Sequence, residues 1–492
     1  MDQPSAPASQ QPRVGDLTHG PIGRTLLVFA LPVLGANVLQ SLNGSINAIF
    51  VGRFLGEAAL TATSNANLVL FLLLGTVFGI GMAATILVAQ AVGAQDLRQA
   101  KRVIGTSADF FLVISVLFSV LGFVFAPEIL AILGTPADAT PLAISYLRVL
   151  FVAVPAMNLL SFLMTVLRGA GDSRTPFAFM ALAVVLDVML NPLLILGLGP
   201  FPALGIAGAA AATLIGQTVA LLALIVLLYR RRHPLRLAGA DLGYFRPDAE
   251  LLRTVIVKGV PMGLQMVVIS VSALILMSLI NAYGSQTAAA YGVAAQLWTY
   301  VQMPALAIGA AVSSMAAQNV GARRWDRIGS IAVAGIGFNV VLTGTLVVVL
   351  YLFDRQVLGL FLGSDSEAVE IAASINTEVA WSFVLFGMTV VLFGTVRATG
   401  AVMPPLIILT FSLLFVRAAF AYGAQERFGI NAIWWSFPVG SVVSVLLAGA
   451  YYRWGGWRRV RMLEPADRPA GEAAETGLAL PRERAGTTER AR

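Results

Sequence analysis

Stretches of about 20 or more predominantly apolar residues recur along most of this 492-residue chain, each long enough to cross a hydrocarbon core of about 30 Å as a helix. Inside a bilayer every backbone N–H and C=O must find its partner within the segment, so such runs read as helices and the chain as an all-α integral membrane protein. Twelve can be counted, at about 25–50, 58–84, 104–126, 142–167, 176–198, 205–229, 255–280, 288–315, 329–353, 371–396, 404–423 and 431–452. With 58% hydrophobic and 12% charged residues and a mean hydropathy of +0.83, the chain has too little polar surface for a water-soluble globule. Residues 1–24 are rich in Pro, Gln and Ser without an apolar core, and read as a disordered tail that stays attached. The absence of cysteine removes disulfides, thiolate metal sites and cysteine nucleophiles. Both histidines, His19 and His233, fall outside the spans, so no histidine-based metal or nucleophilic site is available in the membrane and an enzyme is not expected.

The basic residues orient the spans. The net charge of +7 suggests a nucleic-acid partner only until the arginines are located. Of the 32 Lys and Arg, 27 fall in the two tails and the even-numbered connections; Arg53, Arg148, Arg355 and Arg427 lie on the other side and Arg417 within a span. The positive-inside rule then puts both termini and the basic linker 230–254, with Arg230, Arg231 and Arg232, on the cytoplasmic side of the membrane.

Internal repetition decides the architecture. Ala89-Gln90-Ala91-Val92-Gly93-Ala94 returns as Ala317-Gln318-Asn319-Val320-Gly321-Ala322, and Leu31-Pro32 returns as Val260-Pro261 at an offset one residue different. Arg168-Gly169-Ala170-Gly171 with Pro176 returns as Arg397-Ala398-Thr399-Gly400 with Pro405, and Gly205-Ile206-Ala207-Gly208 as Gly429-Ile430-Asn431-Ala432. Each match falls at the same place in the span count, and six crossings preserve sidedness. The chain therefore reads as two parallel six-helix lobes, 25–229 and 255–452, related by a pseudo-twofold axis along the membrane normal, with a cytoplasmic tail at 453–492. Gly79-Ile80-Gly81 and the pair Gly52 and Gly56 read as close helix packing rather than phosphate binding.

Several elements carry a family resemblance. Leu31-Pro32 through Gly52-Arg53-Phe54-Leu55-Gly56, Gln90-Ala91-Val92-Gly93-Ala94, Leu167-Arg168-Gly169-Ala170-Gly171-Asp172-Ser173-Arg174-Thr175-Pro176 and Leu186-Asp187-Val188-Met189-Leu190-Asn191-Pro192 are similar to signatures of the multidrug and toxic compound extrusion (MATE) family. The likeness spans about residues 20 to 455 and is closer to the DinF-like bacterial branch than to the NorM-like one. NorM-like members bind the coupling cation through acids on the seventh and tenth spans, where this chain offers apolar residues such as Ile269 and Phe386. The loop Gly93-Ala94-Gln95-Asp96-Leu97-Arg98 matches poorly the basic loop of the major facilitator group, which shares the two-lobe plan.

Of the 25 carboxylates, Asp187 alone sits near the middle of a span; Asp109 lies toward the cytoplasmic end of its helix, and Glu370 and Glu378 toward the outer end of theirs. A charge at the bilayer centre costs about 2.5–3.5 kcal/mol on insertion scales, and persists when partnered, protonated or facing a wet cavity. Asp187 and Asn191 are spaced i, i+4 and share a helix face, and Pro192 removes a backbone donor beside them. Asn47 on the first span and Thr213 on the sixth can complete a polar cluster that binds the coupling ion, H+ or Na+, with no other cofactor or metal. DinF-like relatives commonly carry an aspartate where this chain has Asn47, and an Asn-x-x-x-Asp-Pro order where it reads Asp187, Asn191, Pro192. The resemblance therefore leaves Asp187 acting alone, with a buried structural acid as the alternative reading. By the repeat offset Arg417 falls one residue from the counterpart of Asp187, as an intramembrane counter-charge or as a snorkelling side chain. Trp298, Tyr300, Met303, Phe383 and Met388 read as core or lipid-facing residues, or as the lining of a cavity for aromatic cations.

The resemblance implies a monomeric secondary exporter of amphipathic, often cationic organic molecules by cation antiport with alternating access, placed in the inner membrane of a bacterial cell, with no nucleic-acid partner. A flippase for a lipid-linked oligosaccharide or polyisoprenoid, which would want several cavity arginines where the spans offer Arg417, is the alternative. A channel or sensor without turnover fits a two-lobe plan less well.

Overall fold

The computed structural model describes residues 15–363 and 366–462. The disordered tail expected over residues 1–14, and the end of the C-terminal tail from 463, lie outside these. Among the described residues ten helices are long and apolar enough to cross a membrane, and the pair Glu367–Val379 and Ser382–Arg397, bent by 45°, makes an eleventh. The 37-residue helix Glu57–Gly93 lies between the first and third crossings and completes twelve. No strand occurs among the described residues.

The helices overrun the apolar windows. The second ends at Gly93 and the eighth, Ser285–Gly321, at Gly321, so both copies of the Gln-x-Val-Gly element are helical. The third starts at Leu97 because the Asp96 side chain accepts the Gln99 N–H at 2.9 Å and caps it. The ninth runs over Trp325–Leu362 and takes in Asp354, which the apolar window excludes. The eleventh crossing is composite: Met403–Thr410, a π turn over Phe411–Val416, and Arg417–Gly423. Neither this π turn nor the break at Ala380 and Trp381 interrupts the hydropathy, and neither is expected from it.

Within the first lobe the fifth helix, Arg174–Leu196, packs on the sixth, Ile206–Arg230, and on the first, Ile22–Leu55. Small residues make this possible: a Cβ at Gly216 would lie 3.0 Å from the Ala183 carbonyl, and Ala209, Ala210 and Ala212 are fully buried. Between helices in lipid, backbone approach of this kind replaces the hydrophobic drive available in water.

The lobes meet at the end that carries the N-terminus, and the repeat is visible in the contact itself. A Cβ at Gly93 would run into the Gln318 carbonyl, and one at Gly321 into the Gln90 carbonyl. The Gln90 side-chain amide donates to the Ala398 carbonyl at 2.6 Å, and that of Gln318 donates to the Gly169 carbonyl at 3.0 Å. Ala398 and Gly169 are repeat counterparts, so each lobe reaches the same element of the other. Above this, Gly79 leaves no room for a Cβ against Gly263 of the seventh helix. Gly56, by contrast, has open space around it; it turns the chain between two helices at φ +85°.

Residues 15–20, assigned by composition to the disordered tail, are instead a packed strap across this junction. Leu17 is 4% exposed, its N–H donates to Gln318 Oε1 at 3.0 Å, and its carbonyl accepts from Asn319 Nδ2 at 3.1 Å. Arg324 donates to the Thr18 carbonyl at 2.7 Å and Arg327 to the Gly20 carbonyl at 2.9 Å. On the other lobe Gly15 and Gly171 abut so closely that neither tolerates a Cβ. A composition average misses this because one apolar residue, Leu17, and a run of backbone hydrogen bonds hold the segment.

Candidate functional site

The fifth helix buries two polar side chains on one face, Asp187 at 3% and Asn191 at 1% exposure. Pro192, inside the helix, offers no N–H to the preceding turn. The first helix supplies Asn43, whose Nδ2 donates to Asp187 Oδ2 at 2.8 Å, and Asn47, whose Oδ1 accepts from Asn191 Nδ2 at 3.2 Å. From the sixth helix Thr213 Oγ1 donates to Asp187 Oδ1 at 2.9 Å, placed there by the close approach at Gly216. Buried Tyr146 of the fourth helix, Thr140–Gly169, stands beside Asn47 and Asp187. Asp187, Asn191, Asn47 and Thr213 are thus brought together, with Asn43 and Tyr146 added. Asn43 was legible, since it precedes Asn47 by four residues and shares its face; a lone tyrosine on the fourth span carried no signal.

The carboxylate is bonded but not neutralised. Each oxygen accepts one neutral hydrogen bond, and no ion pair reaches Asp187 among the described residues. Beside it the buried amide oxygens Asn43 Oδ1 and Asn191 Oδ1 have no donor among the described residues. A buried acceptor left without a partner costs about 1–3 kcal/mol. Two such oxygens flanking a carboxylate form an oxygen-rich, net negative cradle, the donor chemistry that suits a hard cation. A proton on Asp187 would relieve the same imbalance.

Arg417 does not join this cluster. Its guanidinium carbon lies 3.5 Å from the centroid of the Phe437 ring, its Nε is buried without an acceptor, and Tyr291 is its polar neighbour. No acid pairs with it among the described residues; the ring face supplies the favourable electrostatics, up to about 2 kcal/mol when desolvated. Trp298, Met303 and Phe383 are core residues, 3%, 5% and 8% exposed. The second lobe holds a further polar chain: Trp298 Nε1 donates to Asn376 Oδ1 at 2.8 Å, and Asn376 Nδ2 donates to Asp354 Oδ1 at 2.7 Å. Asp354 escapes a reading by apolar windows because its helix extends past the window.

Comparisons with known proteins bear on the fold and the family. The chain is 38% identical over 448 residues to the probable multidrug resistance protein YoeA of Bacillus subtilis (strain 168), covering 90% of this chain and 96% of that one. It is 26% identical to a protein of Shewanella oneidensis named FAD transporter, over 86% of this chain and 92% of that one. Its fold superposes with a TM-score of 0.82 on an outward-facing multidrug resistance MATE family transporter, 22% identical, over 90% of this chain and 98% of that one. The MatE family model matches residues 32–193 and again residues 261–423, once in each lobe. A two-lobed, twelve-helix chain that carries the same family signature in both halves belongs to the MatE family.

Proposed function

We propose that this chain is a secondary active exporter of amphipathic, often cationic organic compounds, driven by H+ or Na+ antiport at the Asp187 cluster. One observation carries the reading: a buried carboxylate flanked by two donorless amide oxygens, Asn43 Oδ1 and Asn191 Oδ1, within one lobe. The relatives support the substrate class, since YoeA is named a probable multidrug resistance protein and a Staphylococcus aureus protein, 25% identical, is named multidrug export protein MepA.

The mechanism follows from differential binding. A ligand shifts a conformational equilibrium only as far as its affinities for the two states differ. With the lobes sealed at the strap end, the cluster is supplied from the opposite side. A cation that cancels the Asp187 charge removes the penalty of an uncompensated carboxylate and lets the first, fifth and sixth helices close on one another. Substrate leaves and the cation enters from the same side, and the reverse exchange follows once the strap end opens. In this reading the tails and basic linker face the cytoplasm, by the positive-inside distribution, and the unit is a monomer.

Proteoliposomes of the full chain, loaded with a fluorescent organic cation and given separate proton and sodium gradients, test the function. Gradient-driven movement under at least one gradient is expected; none under either, with protein folded and inserted, would overturn it.

A further inference from the structure

A cavity of ≈ 740 Å³ lies on the strap side, walled by Gly15 and Leu17 of the strap, the start of the first helix and the loop before the fifth. Arg24, Arg174 and Arg231, from three separate elements, line it. None of these three guanidinium groups has a hydrogen bond or ion pair among the described residues, whereas Lys101 and Arg102 on the same side pair with Asp241 and Asp248 at 2.7 Å. Among the described residues one acid, Asp172, lies in the lining: its Oδ1 accepts the backbone N–H groups of Arg174 and Thr175, each at 3.0 Å, and its single charge offsets only part of that of the three arginines. His233 adds no cation at neutral pH, because burial holds it below its ordinary value against the pull of Asp172. The first helix opens here with Pro21 at its cap and no side-chain acceptor for its leading N–H groups, a polarity that favours an anion. Beneath the arginines the wall turns apolar at Val28, 45% exposed, and Phe29.

We propose that this cavity binds an anionic phosphate group, of a membrane lipid or of a soluble compound, and that its occupancy holds the strap in place. Three unpaired guanidiniums around one volume match a phosphate's charge and acceptor geometry. The apolar floor suits the glycerol and upper acyl region of a phospholipid. Because strap residues form a wall of the cavity and also bind Gln318, Asn319, Arg324 and Arg327 of the second lobe, a bound anion favours the state in which the lobes are sealed at this end.

The test uses the full chain in zwitterionic nanodiscs and a fluorescent phosphatidylglycerol, with inorganic phosphate as competitor. The triple variant Arg24→Gln, Arg174→Gln, Arg231→Gln is compared with Arg230→Gln, Arg232→Gln, Arg246→Gln, which removes the same charge from outside the cavity. The cavity variant should bind at least roughly tenfold more weakly, and the outside variant no more than about twofold. Competition by phosphate identifies a soluble phosphate compound as the source; its absence identifies the lipid headgroup. Equal weakening in both triples, or none in either, overturns the proposal. If the cavity triple does not fold, Arg24→Gln at an exposed position carries the test with a loss of roughly threefold, and unchanged binding in that variant is contrary.

Discussion

The reciprocal contact at Gly93 and Gly321 gives the sharpest prediction about how the lobes move. In Gly93→Ala the new methyl group collides with the Gln318 carbonyl, and in Gly321→Ala with that of Gln90. The obstacle is helix backbone on both sides, so neither a rotamer change nor a small side-chain shift can absorb it. Overpacking of this kind costs about 1–3 kcal/mol, and the cost falls on the state in which the lobes touch here. The population of that state relative to the alternative should fall about 5- to 150-fold. The two sites share a neighbourhood, so the double variant should cost less than the sum. Spin labels on cysteines at the exposed positions Asp138 and Tyr283, one per lobe on the opposite side, would report the shift as a new, shorter distance population in pulsed electron resonance. Gly337→Ala is the control, since a Cβ there meets nothing within 4 Å. If Gly93→Ala and Gly321→Ala match wild type and Gly337→Ala, the contact is not a gate.

Three further outcomes follow. Thr213→Val removes the donor to Asp187 Oδ1 at nearly constant volume and should lower stability by about 1–3 kcal/mol, read as a depressed Tm in detergent, whereas an unchanged Tm would show that this hydrogen bond contributes nothing. Burial alone would raise the Asp16 carboxyl, but hydrogen bonds from Thr18 and His19 carry it below its ordinary value; its contribution to strap docking is therefore full above about pH 4 and lost as pH falls through the lowered value. Protection of the residue 15–20 amides, taken relative to their intrinsic exchange rates at each pH, should fall only in that acid range, and Asp16→Asn should remove this pH dependence. Finally, a cysteine at Gly239 in this cysteine-free chain should resist an impermeant thiol reagent in intact cells, and labelling from outside would reverse the assigned orientation.

Much of the fold was legible because it rests on features that survive in one dimension. Apolar windows mark the spans, and paired motifs such as Gln90-Ala91-Val92-Gly93 and Gln318-Asn319-Val320-Gly321 mark the duplication. The Asp187 cluster was partly legible, since a mid-span acid with an amide one turn away announces itself, and Asn43 could have been added by applying the same spacing to the first span. Tyr146 could not, because its place beside Asn47 depends on how the fourth helix packs against the first. The π turn before Arg417 and the 45° bend in the tenth crossing leave hydropathy unchanged, so no window detects them. The strap is not legible for a related reason: its order comes from Asn319 of the eighth helix, Arg324 at the cap of the ninth and Arg327 within it bonding its backbone, which its own composition does not encode.

The central claim is that Asp187 holds the coupling cation, and Asp187→Asn in proteoliposomes measures it most directly. The amide keeps the size and hydrogen-bonding capacity of the carboxylate but can neither take up a proton nor present a charge to a cation. Gradient-driven export should be abolished in a variant that still folds and inserts, and adding Asn191→Asp, which restores an acid one turn away on the same face, should recover part of it. Export by Asp187→Asn at the wild-type rate, with unchanged dependence on the proton and sodium gradients, would contradict the assignment.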